Sequence, residues 1–182
     1  PNRIVAAGVS NQRETFLLWD KDGAPLCRAV VWQCKRAVPI CERLKGTSVE
    51  AEIRARTGLI MDPYFSGAKL AWLMENDPVV RDAVQSGKAL FGTVDTWLLY
   101  RLTDGGSYFT DYTNASRTLL FNIHTLDWDE ILLNAFGASG LVPPKAVPSS
   151  FPYGASDFEG LFPKPISISG MIGDSHAAAF GE

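Results

Sequence analysis

Hydrophobic runs and helix-like patterns alternate along this chain. The stretches IVAAGVS at 4–10 and ISISGMI at 166–172 are apolar in the way that buried strands are. ETFLLWD and PLCRAVVW flank a Lys-Asp-Gly-Ala turn, which predicts a β-hairpin. The alternation of strand and helix patterns predicts an α/β fold with a mixed sheet and flanking helices.

Five further stretches have the pattern of helices. They are residues 33–45, a segment behind Thr47 or Ser48, residues 66–76, a segment between Thr93 and Gly105, and residues 127–137. Pro39 is a candidate kink in the first of them. The turn-rich residues 106–128 predict short strands, and the proline-rich residues 141–165 predict irregular chain with one short strand. The apolar loop at 57–67 must be pinned to the core or to a ligand cleft.

Size and composition fit one domain, or one large piece of a longer protein. The chain has 182 residues, of which 46% are hydrophobic, enough for a substantial core. The formal net charge of −3 and the scattered basic residues argue against a nucleic-acid partner. The sequence has no apolar run of the ~18–20 residues that a membrane span needs and no signal peptide. We therefore expect a cytoplasmic protein without a membrane partner, in which Cys27, Cys34 and Cys41 are reduced thiols.

Both ends of the sequence have the character of cuts through a longer protein. The chain begins with Pro1 rather than Met and enters an apolar run within a few residues. It ends at Glu182, shortly after Asp174 opens a helix pattern. We therefore expect residues 1–182 to be an incomplete domain.

A dense polar block, SNQRET at 10–15, lies between two apolar strands. Arg13 and Glu14 place a guanidinium donor beside a carboxylate acceptor, the pairing that a vicinal diol needs because each hydroxyl both donates and accepts. In a regular strand the two side chains point to opposite faces, so only a bulge or turn lets both reach one ligand. The alternative is a surface ion pair, which contributes little to stability.

Two aromatic residues and one carboxylate are further candidates. Trp32 and Tyr64 are either packing residues or a hydrophobic wall against the C–H side of a polyol, with the Tyr hydroxyl as one hydrogen bond. Asp174 is either the N-cap of the last helix or a catalytic carboxylate, since α/β enzymes place such groups where a strand meets a helix. We interpret Asp62 as a turn residue and Asp95 as a first-turn charge that the helix dipole favours.

The order of several motifs resembles that of the FGGY carbohydrate kinases, and within them the glycerol kinases. The motifs are SNQRET, VVWQCKR, TGLIMDPYFSGAKLAWLMEN, LFGTVDTWLLYRLT, TDYTNASRTLLFNIHTLDWD and GDSHAAAFG, and they span essentially the whole sequence. The resemblance implies the RNase H-like (actin/hexokinase-type) fold. It also implies that residues 1–182 are a partial N-terminal, polyol-binding domain, without the opening phosphate-turn strands and the C-terminal ATP-binding domain.

The same resemblance implies an activity: ATP-dependent phosphorylation of a small polyol, with glycerol to sn-glycerol 3-phosphate as the leading reaction. ATP and Mg²⁺ would be bound mainly by parts outside this chain, which would hold no metal ligands and be inactive by itself. Arg13, Glu14 and Tyr64 would hold the polyol hydroxyls, and Trp32 would pack beside them. Asp174 would contact the polyol and act as the base at the attacked hydroxyl. This interpretation is compatible with a homo-oligomer of the whole protein.

One position departs from the glycerol kinase pattern. Gly173-Asp174 is followed by Ser175-His176, where that group typically has two glutamines. Ser175 takes the place of a substrate contact but is shorter, so it would reach a hydroxyl only through water. A kinase for another small polyol or a ketose therefore stays open, as does a non-catalytic polyol-binding module.

Overall fold

Residues 4–182 are described by a computed structural model of the chain. In this part of the chain the strands are Ala6–Asn11 (β1), Phe16–Trp19 (β2), Leu90–Thr93 (β3), Phe109–Asp111 (β4), Phe121–Asn122 (β5), Asp127–Trp128 (β6), Lys145–Val147 (β7), Ser150–Ser156 (β8) and Ile166–Gly173 (β9). The helices are Val38–Leu44 (α1), Ser48–Thr57 (α2), Ser66–Asn76 (α3), Pro78–Gln85 (α4), Val94–Leu102 (α5), Tyr112–Ala115 (α6), Glu130–Ala135 (α7) and Asp174–Gly181 (α8).

The predicted mixed sheet is present, in the strand order β1-β9-β8. β1 runs parallel to β9, and β8 runs antiparallel to it. The prediction that 4–10 forms a buried strand is wrong in its burial, because alternate residues of β1 are exposed. Within residues 4–182, this sheet packs on a small cluster of Leu99, Val147, Tyr153, Ile168 and Met171.

The predicted hairpin is only partly formed. The chain does reverse after β2, where the Asp20 carboxylate accepts hydrogen bonds from the N–H groups of Asp22 and Ala24. The strand partner of β2, however, is β3, and the returning segment makes isolated bridges at Pro25 and Val30. Pro25 has no N–H to donate to a ladder, which explains why a second regular strand does not form there.

The helices follow the predicted pattern with corrections at their ends. α1 begins at Val38, so Pro39 lies in its first turn and produces no kink, because that position needs no N–H donor. Thr47 occupies the N-cap of α2, but its hydroxyl donates to the carbonyl of Leu44 instead of capping the helix. α4, which the sequence pattern did not indicate, is capped by Asp77 through the N–H groups of Val79 and Val80.

Residues 141–165 contain more regular structure than predicted. Two strands form there, β7 and the seven-residue β8, where one short strand was expected. The buried Tyr153 anchors β8, and its hydroxyl donates to the carbonyl of Pro148. The antiparallel partner β9 then satisfies the backbone of β8, which local proline content alone does not reveal.

The main core lies between α1–α4, α7 and the β2–β3 pair. Met61 and Phe65 of the 57–67 loop are buried in it, which confirms that this apolar loop is pinned. Asp62 closes a turn within the loop by accepting the N–H of Tyr64, as predicted. The three cysteines are free thiols.

Asp95 lies in the first turn of α5, as predicted, but it is fully buried. Its carboxylate accepts hydrogen bonds from the hydroxyls of Thr93 and Thr110, at 2.5 and 2.7 Å. Burial disfavours the ionised form and raises the pKa of Asp95 to about 6. The carboxylate is thus a core group that joins β3, α5 and β4.

We expect Asp95 to make stability depend on pH. The folded chain binds this proton more tightly than the unfolded chain, whose pKa is near 3.8. Its favourable contribution is therefore complete below pH 3.8 and is lost as the pH rises through about 6, a change on the order of 3 kcal/mol. Urea unfolding of the whole protein between pH 4 and 7 should show this fall, and Asp95→Asn should remove it. Identical pH profiles for Asp95→Asn and the exposed control Asp104→Asn would contradict the assignment.

Candidate functional site

The predicted site residues lie at one edge of the sheet. Because β1 and β9 are parallel with Asn11 opposite Gly173, their carboxyl ends coincide. The polar block that follows β1 therefore lies beside Asp174, which follows β9. In open α/β sheets, ligands bind outside the carboxyl ends of the strands. The topology thus places the candidate binding and catalytic residues where α/β proteins usually have their ligand sites.

The polar block turns sharply at Glu14. The N–H of Thr15 donates to the carbonyl of Arg13 at 2.7 Å, and Glu14 between them has φ of 64°. This is a three-residue γ-turn with a left-handed centre, a strained conformation that costs on the order of 1–3 kcal/mol. A regular strand is therefore excluded here, and the side chains of Arg13 and Glu14 need not point to opposite faces of the sheet.

Arg13 reaches the start of α8. Its Nη2 donates to Ser175 Oγ at 2.8 Å, and Nη1 lies 3.2 Å from His176 Nδ1. Its Nε lies 3.4 Å from Asp174 Oδ1, within ion-pair distance but without hydrogen-bond geometry. Gly173 makes room for this side chain, since a Cβ there would be 2.4 Å from Arg13 Cδ.

Asp174 does not cap the last helix, so of the two alternatives from the sequence the N-cap is excluded. α8 begins at Asp174 itself, Gly173 holds the N-cap position, and the Asp174 carboxylate bonds only the adjacent N–H and hydroxyl of Ser175 among described residues. Its side chain is 54% exposed. The carboxylate therefore remains open to a ligand at the edge of the sheet.

Glu14 turns into the protein. It is 1% exposed, and its Oε1 accepts a hydrogen bond from Arg117 Nε at 2.8 Å. The Ser66 hydroxyl holds the Glu14 backbone by donating to its carbonyl at 2.9 Å. Burial, followed by the neighbouring Glu14 carboxylate, raises the pKa of Tyr64, so its hydroxyl stays protonated at neutral pH. Glu14 and Tyr64 are therefore neighbours, as a shared ligand would require.

Trp32 completes an aromatic wall. Its ring meets that of Tyr64 edge to face, with centroids 5.6 Å apart, and its Nε1 donates to Gln12 Oε1 at 3.1 Å. The indole is 36% exposed, so one part packs and one part faces solvent. Trp32 and Tyr64 thus pack against each other and also lie at the edge of the candidate site. The two interpretations from the sequence, packing residues and a hydrophobic wall beside a ligand, are therefore compatible.

The predicted residues form two adjoining groups. Arg13, Asp174 and Ser175 make one group, and Glu14, Tyr64 and Trp32 make the other. The Arg13–Glu14 peptide bond connects them at the γ-turn. The structure brings all of the predicted residues to one region, and their roles toward a substrate stay predictions.

Buried residues that the sequence analysis missed fix the base of this site. The fully buried Asp111 carboxylate accepts from the Thr113 hydroxyl at 2.7 Å and from the Asn114 amide at 2.8 Å. Thr113 Oγ1 in turn accepts the N–H of Gly173, and Asn114 bonds Asn11. This network joins the ends of β1 and β9. Asp111 before Asn114 is an N-cap pattern that could have been found; its link to Gly173 is not local.

Among residues 4–182, no group of three or more His, Cys, Asp or Glu side chains could hold a metal ion. Mg²⁺ in phosphoryl-transfer sites usually takes only one or two carboxylates together with substrate phosphates. Asp174 is an exposed carboxylate of that kind at the sheet edge. In the described part of the chain, no helix has the length and apolar character that crossing a membrane requires.

Comparison with known proteins decides the family. Residues 1–181 match the N-terminal domain of the FGGY family of carbohydrate kinases. The chain belongs to this family. A glycerol kinase of Treponema denticola is 48% identical over 180 residues, which are 98% of this chain and 36% of that protein.

Solved structures of the FGGY kinases agree with this assignment. The crystal structure of Plasmodium falciparum glycerol kinase with ADP matches with a TM-score of 0.91 and 35% identity, over 98% of this chain and 36% of that one. A ligand-bound xylulose kinase of Lactobacillus acidophilus, at 24% identity and a TM-score of 0.78, shares the fold over 98% of this chain and 36% of its own. The predicted RNase H-like, actin/hexokinase-type fold is therefore confirmed for the region that this FGGY chain covers.

Proposed function

We propose that the protein containing this chain is an ATP-dependent polyol kinase that converts glycerol to sn-glycerol 3-phosphate. The chain would carry the polyol half of the site and the catalytic base. The observation that carries the proposal is the convergence of Arg13, Glu14, Tyr64 and Asp174 at the carboxyl ends of β1 and β9. The FGGY domain and glycerol kinase relatives near 48% identity support it, although the chain covers only 36% of their length.

The side chains supply the contacts that a small polyol needs. The Arg13 guanidinium donates, and the Glu14 carboxylate accepts, so together they can hold neighbouring hydroxyls. Glu14 is almost fully covered, which means that the polyol must enter beside the Tyr64 hydroxyl to reach it. Trp32 would pack against the carbon side of the polyol.

Asp174 would act as the general base. Its carboxylate would take the proton of the attacked hydroxyl as that oxygen bonds the γ-phosphorus of ATP and the bond to the ADP oxygen breaks. When bound, Mg²⁺ supplies charge neutralisation for the transferring phosphoryl group. A carboxylate of ordinary basicity suffices, because in a loose transition state the proton leaves late.

A second candidate is a kinase for another small polyol or a ketose. It is favoured by Ser175 and His176, both of which interact with the Arg13 guanidinium and hold it toward α8. A guanidinium held in that direction can donate hydrogen bonds to a longer substrate that extends along the start of α8. The third possibility is a polyol-binding module without catalysis.

Transfer of labelled phosphate from ATP by the full-length protein to glycerol, erythritol and xylulose separates these candidates. We expect kcat/KM for glycerol to exceed that for the other two by at least about tenfold, because a site that pairs each hydroxyl rejects analogues that leave polar groups unpaired. Preference for xylulose or erythritol would support the second candidate. Polyol binding without any transfer would support the binding module.

A further inference from the structure

Arg117 contacts the γ-turn that carries Glu14 and the loop that carries Tyr64, although it belongs to neither segment. It follows α6, and its guanidinium meets Glu14 of the γ-turn at 2.8 Å. Its Cζ also lies 4.9 Å from the ring centroid of Phe65 and 6.0 Å from that of Tyr64, so it stacks on the 57–67 loop. One side chain therefore bridges the two segments that carry two of the proposed polyol contacts.

Glu14 is a buried carboxylate, and its ion pair in the described part of the chain is with Arg117. At 1% exposure the carboxylate has lost most of its hydration, so this contact offsets the cost of burying it. Neither nearby cation replaces Arg117: the Arg13 guanidinium faces Ser175 and His176, and the Lys69 ammonium donates to the Tyr64 carbonyl at 2.5 Å.

We propose that Arg117 is a positioning residue of the polyol site, which holds the buried Glu14 carboxylate in a fixed arrangement with the Tyr64 ring. Arg117 acts through these two side chains and does not itself contact the polyol. This role rests on the proposed function. It predicts that losing Arg117 weakens polyol binding in the ground state and the transition state alike.

The test is Arg117→Met in the full-length protein, because methionine keeps a long apolar side chain without the charge. We expect KM for glycerol to rise about tenfold and kcat to change by less than about threefold, the pattern of lost uniform binding. Arg117→Lys should recover part of the affinity, since it restores the charge but not the planar stack. The matched control is Arg101→Met, whose guanidinium also lies over an aromatic ring, at 5.6 Å from Trp97, and belongs to no proposed polyol contact.

A double-mutant cycle separates positioning through Glu14 from a merely structural role. If Arg117 acts through Glu14, then Arg117→Met should raise KM for glycerol much less in a Glu14→Gln background than in the parent.

The outcomes are distinct. If the parent phosphorylates glycerol and Arg117→Met keeps KM within about twofold, the role of Arg117 is overturned and the proposed function stands. The same holds if Arg117→Met raises KM equally with and without Glu14→Gln. If the parent neither binds nor phosphorylates a polyol, the proposed function falls and this role falls with it. A raised KM that depends on Glu14 supports both.

Discussion

Replacing Asp174 by asparagine should lower kcat for phosphoryl transfer to glycerol by about a thousandfold, within the range that a positioned general base contributes. Asparagine has the same shape but cannot take the hydroxyl proton. Polyol affinity should change by less than about threefold, because the amide still makes hydrogen bonds at this exposed position and Arg13 keeps its bond to Ser175. Pre-steady-state phosphate transfer together with calorimetric glycerol binding measures the two quantities separately.

The control for this experiment is Asp104→Asn, an equal change of charge at an exposed aspartate in the turn after α5. It should leave both kcat and KM unchanged. Activity of Asp174→Asn close to that of the parent would overturn its assignment as the base, while leaving the family unaffected. A large loss of glycerol affinity instead of kcat would make Asp174 a binding residue.

The fold could be predicted where local pattern and tertiary environment agree. Residues 66–76 carry apolar side chains at helical spacing, and the helix α3 has the predicted bounds. The length of β8 could not be predicted, because Pro152 and Gly154 favour a loop. Pairing with β9 and the burial of Tyr153 stabilise a strand there instead. The hairpin prediction was partly wrong for a similar reason, since β2 pairs with β3 across more than seventy residues of sequence.

The candidate site, like the fold, could be predicted only in part from the sequence. Arg13, Glu14 and Asp174 each follow an apolar strand pattern, and the family resemblance predicted their roles. Arg117 and Thr113 were missed, because their partners Glu14 and Gly173 lie 103 and 60 residues away along the chain. A sequence pattern reports neighbours on one strand or helix, and only the fold reveals which distant side chain neutralises a buried carboxylate.

Gly173→Ala is expected to have the second largest effect, and it should act through Arg13. The backbone of Gly173, with φ of −64°, suits any residue, so the substitution introduces no backbone strain. An alanine Cβ would however lie 2.4 Å from Arg13 Cδ and 2.8 Å from its Cγ. The flexible Arg13 side chain must swing away, which breaks its contacts with Asp174, Ser175 and His176. We expect kcat/KM for glycerol to fall about a hundredfold, the scale of losing charged hydrogen bonds to a substrate.

A double-mutant cycle tests this route. If the methyl group acts only by displacing Arg13, then Arg13→Ala should cause a similar loss, and adding Gly173→Ala to it should cost almost nothing more. Unfolding free energy should stay within about 1 kcal/mol, because the crowded atoms belong to a side chain that can move. The matched control is Gly181→Ala at the end of α8, with open space around its Cβ. Additive losses in the double variant would mean that Gly173 shapes the site independently of Arg13.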